Sequence, residues 1–230
     1  MASAPRWLPL ESNPDVMNKF VTNLGVKEKY SFVDVLGLDD DLLCMVPQPV
    51  YALLLLFPNS EKSEKFRNEE SEKIKKEGQE MSSSVYYMKQ TVQNACGTVA
   101  IIHSIANNVD ELELEDGNLK TFIESTKALT ADKKAEELEK DQSISTAHEA
   151  SAQEGQTETP SIDDEVNLHF VALVQKDGCI YELDGRKEFP INHGKSSPET
   201  FLKDGARVCK EFVARDPDEL HFTVVALAKV

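Results

Sequence analysis

Cysteine is sparse in this 230-residue chain: four residues, at positions 44, 96, 179 and 209, with no CxxC pair. That spacing excludes a dense disulfide framework and points to free thiols in a reducing compartment. The five histidines add none of the usual zinc-ligand spacings, so no metal or other cofactor is expected. Long hydrophobic runs are missing too. The longest, Val50 to Phe57, falls far short of the roughly 18 apolar residues a membrane span needs. Neither end shows a basic stretch followed by an apolar one, so the expectation is a protein of the cytosol, and also of the nucleus, with no membrane partner. Basic residues are few, 25 against 41 acidic ones, for a net charge of -16. Nucleic acid and anionic lipid are disfavoured, because phosphate binding needs a cationic surface. A basic partner fits better, with plain solubility as the simpler account of the charge.

What is present is globular. A chain that is 40% hydrophobic, with ten glycines and ten prolines, can bury a substantial core as one domain or two small ones. "ESNPDVMNKFVTNLGV" reads as a helix with Asn13 as N-cap, Pro14 at the first turn and Gly25 as terminator. A short strand at 32–35, a short helix at 40–44 and a continuous apolar strand at 50–57 follow, the last belonging mid-sheet. "SEKFRNEESEKIKKEGQ" is charged nearly all round, a solvated helix or a mobile surface segment. Helices are expected at 118–127 and 131–140. Residues 146–166, small and polar with six acids and no lysine or arginine, read as a loop about twenty residues long. Loops of that length tend to be lids, binding loops or linkers, and the strand-poor flanks argue against a linker. Beyond it come two strands in "NLHFVALV" and "CIYELDGR", a helix at 198–214 behind Ser197, and a final strand in "HFTVVALA". Mixed helices and strands without βαβ alternation predict an α+β fold, a mostly antiparallel sheet flanked by helices.

The chemistry gathers around "QTVQNACGTVAIIHSIANN". A cysteine at a helix N-terminus is biased toward thiolate by unpaired N–H groups and the macrodipole. Gly97 leaves room for a substrate to approach the backbone, and the apolar run behind it can hold the sulfur still. Most cysteines are simply small core residues, so Cys96 needs a partner base. His103, seven residues on, lies about 10 Å further along the helix, out of reach; nothing singles out His148, His193 or His221. His169 differs, because it starts a hairpin. A turn centred between Lys176 and Asp177 sets it directly across from Asp184, and a two-residue Asp177-Gly178 turn makes the pair diagonal neighbours on the same face. An imidazole beside a carboxylate is held in one tautomer with its far nitrogen free as a base. Gln90 could join the Cys96 N–H in stabilising an oxyanion. The order Gln, Cys, His, Asp matches that of papain-like enzymes.

"QNACGT" with Gln90 upstream, "LHFVALV", "LDGRKEFPINHG" and "RWLPLESNPDV" together closely resemble the ubiquitin carboxyl-terminal hydrolases, specifically the short, single-domain isozymes, over essentially the whole chain. The resemblance implies one catalytic domain over 1–230, a papain-like fold with a knotted backbone, and a crossover loop at about 146–166 arching over the active site. It also implies a monomeric cysteine peptidase that removes small adducts, esters, amides and short peptides from the carboxyl terminus of ubiquitin, and in some members from the closest ubiquitin-like modifier. Cys96 would be nucleophile, His169 base, Asp184 orienter and Gln90 oxyanion donor. Glu11, Asp15, Asp34, Glu158 and Glu219 are the candidate contacts to ubiquitin's basic face and arginine-rich tail, with Leu10 and Leu168 as apolar contacts. The competing readings are a catalytically silent ubiquitin-binding module and a papain-like enzyme acting on an unrelated substrate.

Overall fold

A computed structural model describes residues 5–156, 164 and 166–230. Its centre is a six-stranded sheet in the order β1-β6-β2-β3-β4-β5, every neighbouring pair antiparallel. The strands are β1 (Tyr30–Asp34), β2 (Val50–Pro58), β3 (Leu168–Lys176), β4 (Cys179–Leu183), β5 (Ile191–Lys195) and β6 (Thr223–Lys229). The run "VYALLLLFP" sits inside the sheet as expected, because its side chains have somewhere apolar to go on both faces. Ala52, Leu54 and Leu56 join one core, and Leu53, Leu55 and Phe57 join the other.

Helices α1 (Pro14–Asn23), α4 (Cys96–Ala106) and α5 (Asn118–Thr126) supply the first core; α2 (Asp40–Leu43) and α8 (Phe201–Arg215) supply the second. In α1 the Asn13 side chain accepts from the Asp15 N–H, and Gly25 ends the helical path at φ +100°, a value that strains any residue with a Cβ. Helix α3 (Glu61–Glu77) buries no residue. It is held to the body by ion pairs, Lys187 with Glu70 at 2.6 Å and Lys75 with Glu188 at 2.8 Å, and by the Arg215 guanidinium stacked 3.9 Å over the Phe66 ring.

Three expectations change. The loop at 146–166 is helical at its start, since α6 (Ala131–Lys140) is followed by α7 (Gln142–Ala152). Asp141 caps α7, accepting from the N–H groups of Ser143 and Ile144 at 2.9 Å, and Ile144, His148, Ser151 and Ala152 form its buried stripe. Small and polar side chains disguised an amphipathic face. Residues 157–163 and 165, Glu158 among them, lie outside the described residues. Strand β5 was not anticipated: it is a short edge strand with one buried apolar residue, Ile191, and so lacks a hydrophobic signature. Helix α8 starts at Phe201 rather than 198, because residues 197–200 form a turn in which the Phe201 N–H reaches the Ser197 carbonyl.

Candidate active site

Helix α4 begins on Cys96 itself. The approach to it is unusual: Asn94 adopts φ +62°, a conformation that asparagine tolerates better than most residues. Its amide Nδ2 donates to the Trp7 carbonyl at 3.2 Å, while Trp7 N–H reaches Gln93 O at 3.0 Å and Gln93 N–H reaches Pro5 O at 2.9 Å. The N-terminal segment therefore zips along the loop that aims the thiol. Every residue of α4 after Cys96 is buried, which fixes the axis along which the sulfur is presented.

Gly97 serves a different purpose from the one its position suggested. A Cβ there would lie 3.1 Å from Leu10 Cβ and 3.4 Å from Phe170 Cδ2, so the close approach is made by the protein's own Leu10. Leu10 in turn lines a cavity of about 310 Å³ with Cys96, Pro9, Glu11, Leu168 and Phe170. Cys96 is partly exposed to it.

The hairpin turns on Asp177 (φ +48°) and Gly178 (φ +81°), the two-residue geometry in which both residues need positive φ. The register follows: Lys176 pairs with Cys179 and Ala172 with Leu183, so His169 and Asp184 are diagonal neighbours just past the ladder's end. His169 Nε2 donates to Asp184 Oδ1 at 2.7 Å, and both side chains are buried. His169 Nδ1 is also buried and makes no hydrogen bond of normal geometry; the Cys96 thiol is its neighbour, close enough that each group shifts the other's pKa. Burial works against a charged His169, but the Asp184 carboxylate and the thiol outweigh it and raise the ring's pKa from 6.5 to about 9. For Cys96, burial pushes the thiol up. His169, the Phe170 backbone and the Arg186 charge together overcome that and leave it below its ordinary value. The two shifts run in the same sense, each group favouring the charged form of the other.

The acid of this set is braced in turn. Tyr87 Oη lies 2.7 Å from the Asp184 carbonyl and 2.5 Å from that of Lys187, and the Arg186 N–H reaches Asp184 Oδ1 at 2.9 Å. Beside it a second carboxylate, Glu182, is fully buried, forms an ion pair with Lys187 at 2.6 Å and accepts from His193 Nε2 at 2.9 Å. Burial opposes its charge, but Lys187, His193 and Arg215 pull its pKa well below the carboxylate range. The Glu182 charge acts on Asp184 as a like charge and works to raise its pKa, against the lowering by His169. Nothing in the sequence marked Glu182, Lys187 or Tyr87, because a buried lysine and an exposed one look alike in "LDGRKEF".

Gln90 is tied to the same loop. Its N–H donates to Gly185 O at 2.8 Å, and a Cβ on Gly185 would stand 2.9 Å from Gln90 Cβ. Its amide Nε2 donates to Val92 O at 3.1 Å, and it lines a second, polar cavity of about 440 Å³ rather than the one that contains Cys96.

The remaining candidates divide. Leu10, Glu11 and Leu168 line the thiol's cavity. Asp15 and Asp34 are exposed outside it, and Glu219 accepts from the N–H groups of Leu220 and His221 and from the His221 ring. His103 and His148 are structural. The first packs its Nε2 against Met88 N at 3.0 Å; the second accepts from Thr98 Oγ1 at Nδ1 and donates from Nε2 to Leu8 O, both at 2.7 Å. Burial lowers both to about 4, so each is neutral near pH 7.

A partly exposed thiol at a helix start, a charged imidazole and a buried acid define a site capable of nucleophilic acyl transfer. Comparison with known proteins gives the family. Residues 7–214 match the family described as ubiquitin carboxyl-terminal hydrolase, family 1. A ubiquitin carboxyl-terminal hydrolase of Drosophila melanogaster is 52% identical over 221 residues, 96% of each chain, and isozyme L1 of Homo sapiens is 49% identical over 222 residues, 96% of this chain and 97% of that one. The catalytic domain of Trichinella spiralis UCH37, solved bound to ubiquitin vinyl methyl ester, superposes with a TM-score of 0.76 at 21% identity, covering 98% of this chain and 96% of that one. The chain belongs to the ubiquitin carboxyl-terminal hydrolase family.

Proposed function

We propose that this protein is a thiol-dependent deubiquitinase that releases small adducts, esters, amides and short peptides from the carboxyl-terminal glycine of ubiquitin, and that it also accepts the closest ubiquitin-like modifier. The observation that carries the reading is the electrostatic coupling of Cys96, His169 and Asp184 in a chain of this family. Cys96 Sγ attacks the glycine carbonyl carbon as a thiolate. The oxygen's developing charge is met by the Cys96 N–H, one of the donors a helix start leaves unpaired, and by the Gln90 amide proton not given to Val92. His169 passes its Nδ1 proton to the departing amine or alkoxide as the C–O or C–N bond breaks. Water then attacks the thioester, giving a proton to Nδ1, and the thiolate leaves. Asp184 keeps Nε2 protonated and the ring aligned throughout.

Leu10, Glu11 and Leu168 take the ubiquitin tail, and Asp15, Asp34 and Glu219 serve its basic face. Free thiols and the net charge of -16 support a single catalytic domain working as a monomer in the cytosol and nucleus. The test is ubiquitin bearing a fluorogenic amide at its terminal glycine: turnover in the parent, abolished with binding retained in Cys96→Ala, is expected. Tight binding without turnover by the parent protein would refute it.

A further inference from the structure

The cavity that contains the sulfur adjoins a second one, and the two differ in character. The one lined by Cys96, Leu10, Leu168 and Phe170 is apolar; the other is lined by Gln90, Asn94, Asn167 and Arg186, and the two meet at Val166, which lines both. Acyl transfer at Cys96 needs room for an acyl chain on one side and a leaving group on the other. The tail of the acyl group takes the apolar cavity in the proposed function, which leaves the adjoining polar groove, lined by Asn94 two residues before the thiol and by Arg186 two residues after Asp184, for the departing group.

Arg186 is the feature of this groove that the mechanism leaves unused. Its backbone is fixed, N–H to Asp184 Oδ1 at 2.9 Å, and its side chain is exposed. In a chain of net charge -16, no carboxylate among the described residues pairs with its guanidinium, whereas its neighbour Lys187 has two and Arg207 has Glu211. Its charge nonetheless reaches Cys96. Arg6 and Asp164, on the same wall, each already engage partners. We infer that the polar groove is the leaving-group subsite and that Arg186 makes it select leaving groups that carry a carboxylate on the residue after the scissile bond. This rests on the proposed deubiquitinase activity. Guanidinium suits the task, since its planar donors match a carboxylate and stay charged at any working pH.

The test uses the acyl-enzyme, where an added amine enters by the route a leaving group takes out. With ubiquitin ethyl ester as substrate, aspartate α-amide or asparagine α-amide competes with water for the thioester. The amine nitrogen forms the C–N bond, the C–S bond breaks to return the thiolate, and the amine proton goes to His169. Mass spectrometry gives the amide-to-acid product ratio for each amine. Comparing the aspartate-to-asparagine ratio between parent and Arg186→Gln cancels intrinsic amine reactivity, and any change in thiol reactivity cancels because amine and water compete for the same acyl group. The ratio is expected to fall by about 2- to 5-fold in Arg186→Gln, as for an exposed ion pair, and to narrow in the parent at high salt. An unchanged ratio, or the absence of either amide product while the ester is hydrolysed, overturns the inference. No hydrolysis of the ester by the parent would instead overturn the deubiquitinase reading, and the subsite with it.

Discussion

Replacing Asp184 with asparagine separates two things that the carboxylate does for His169, orienting it and charging it. Asparagine can still accept from Nε2 through its side-chain oxygen and from the Arg186 N–H, so the ring stays aligned; the negative charge goes. The gap between about 9 and the ordinary 6.5 corresponds to about 3 kcal/mol favouring the charged ring. Asp184 supplies the largest part and Cys96 the rest, so the alkaline limb of kcat/KM is expected to move down by about 1 to 2 pH units in Asp184→Asn. Activity at the optimum should fall by about tenfold or more, since less thiolate is paired with imidazolium.

Stability carries the same signature. A ring whose pKa is raised from 6.5 to about 9 contributes stability that is complete below 6.5 and is lost as pH rises through 9. Asp184, lowered by His169 against its burial, contributes above the ordinary carboxylate value and loses that as pH falls through its folded value. Parent and Asp184→Asn should therefore differ most between about pH 4 and 6.5 and converge above 9, in chemical denaturation across that range. Rate profiles of parent and variant that superimpose on the alkaline side would refute the argument that Asp184 charges the ring.

Gln90→Ala is expected to lower kcat by about 10²- to 10³-fold with little change in KM, in steady-state kinetics on a ubiquitin amide. Gly185→Ala should lower kcat as well, because the new Cβ meets Gln90 at 2.9 Å and displaces it; the same variant should melt earlier in calorimetry by an overpacking cost of about 1–3 kcal/mol. Lys187→Met leaves Glu182 buried with only His193 bonded to it, so a loss of about 3–5 kcal/mol in urea unfolding is expected.

Much of this site was legible in the residues. Asn13-Pro14, the run at 50–57 and Cys96 at a polar-to-apolar boundary each carry local physics strong enough to fix an element. Of the registers open to the Lys176-Asp177-Gly178 turn, only an odd loop would have parted His169 from Asp184, and the structure adopted the diagonal one. What escaped was whatever depends on distant partners. Helix α7 is helical because His148 and Ser151 face inward, and His148 can do so only because Thr98 and Leu8 meet it there. Gly97 is required by Leu10, which is 87 positions away in sequence from it and adjacent in space. The Glu182, Lys187 and His193 group joins β4, β5 and α3, and no spacing rule reports a contact of that kind.

The activated sulfur is measured most directly by the pH dependence of Cys96 alkylation with iodoacetamide, followed by peptide mass so that Cys44 and Cys179 do not contribute. In the parent the midpoint should lie below the ordinary thiol value of 9.0. In His169→Gln it should rise above that value, since burial still opposes the thiolate and its counter-ion is gone. The same midpoint in both proteins would contradict the account.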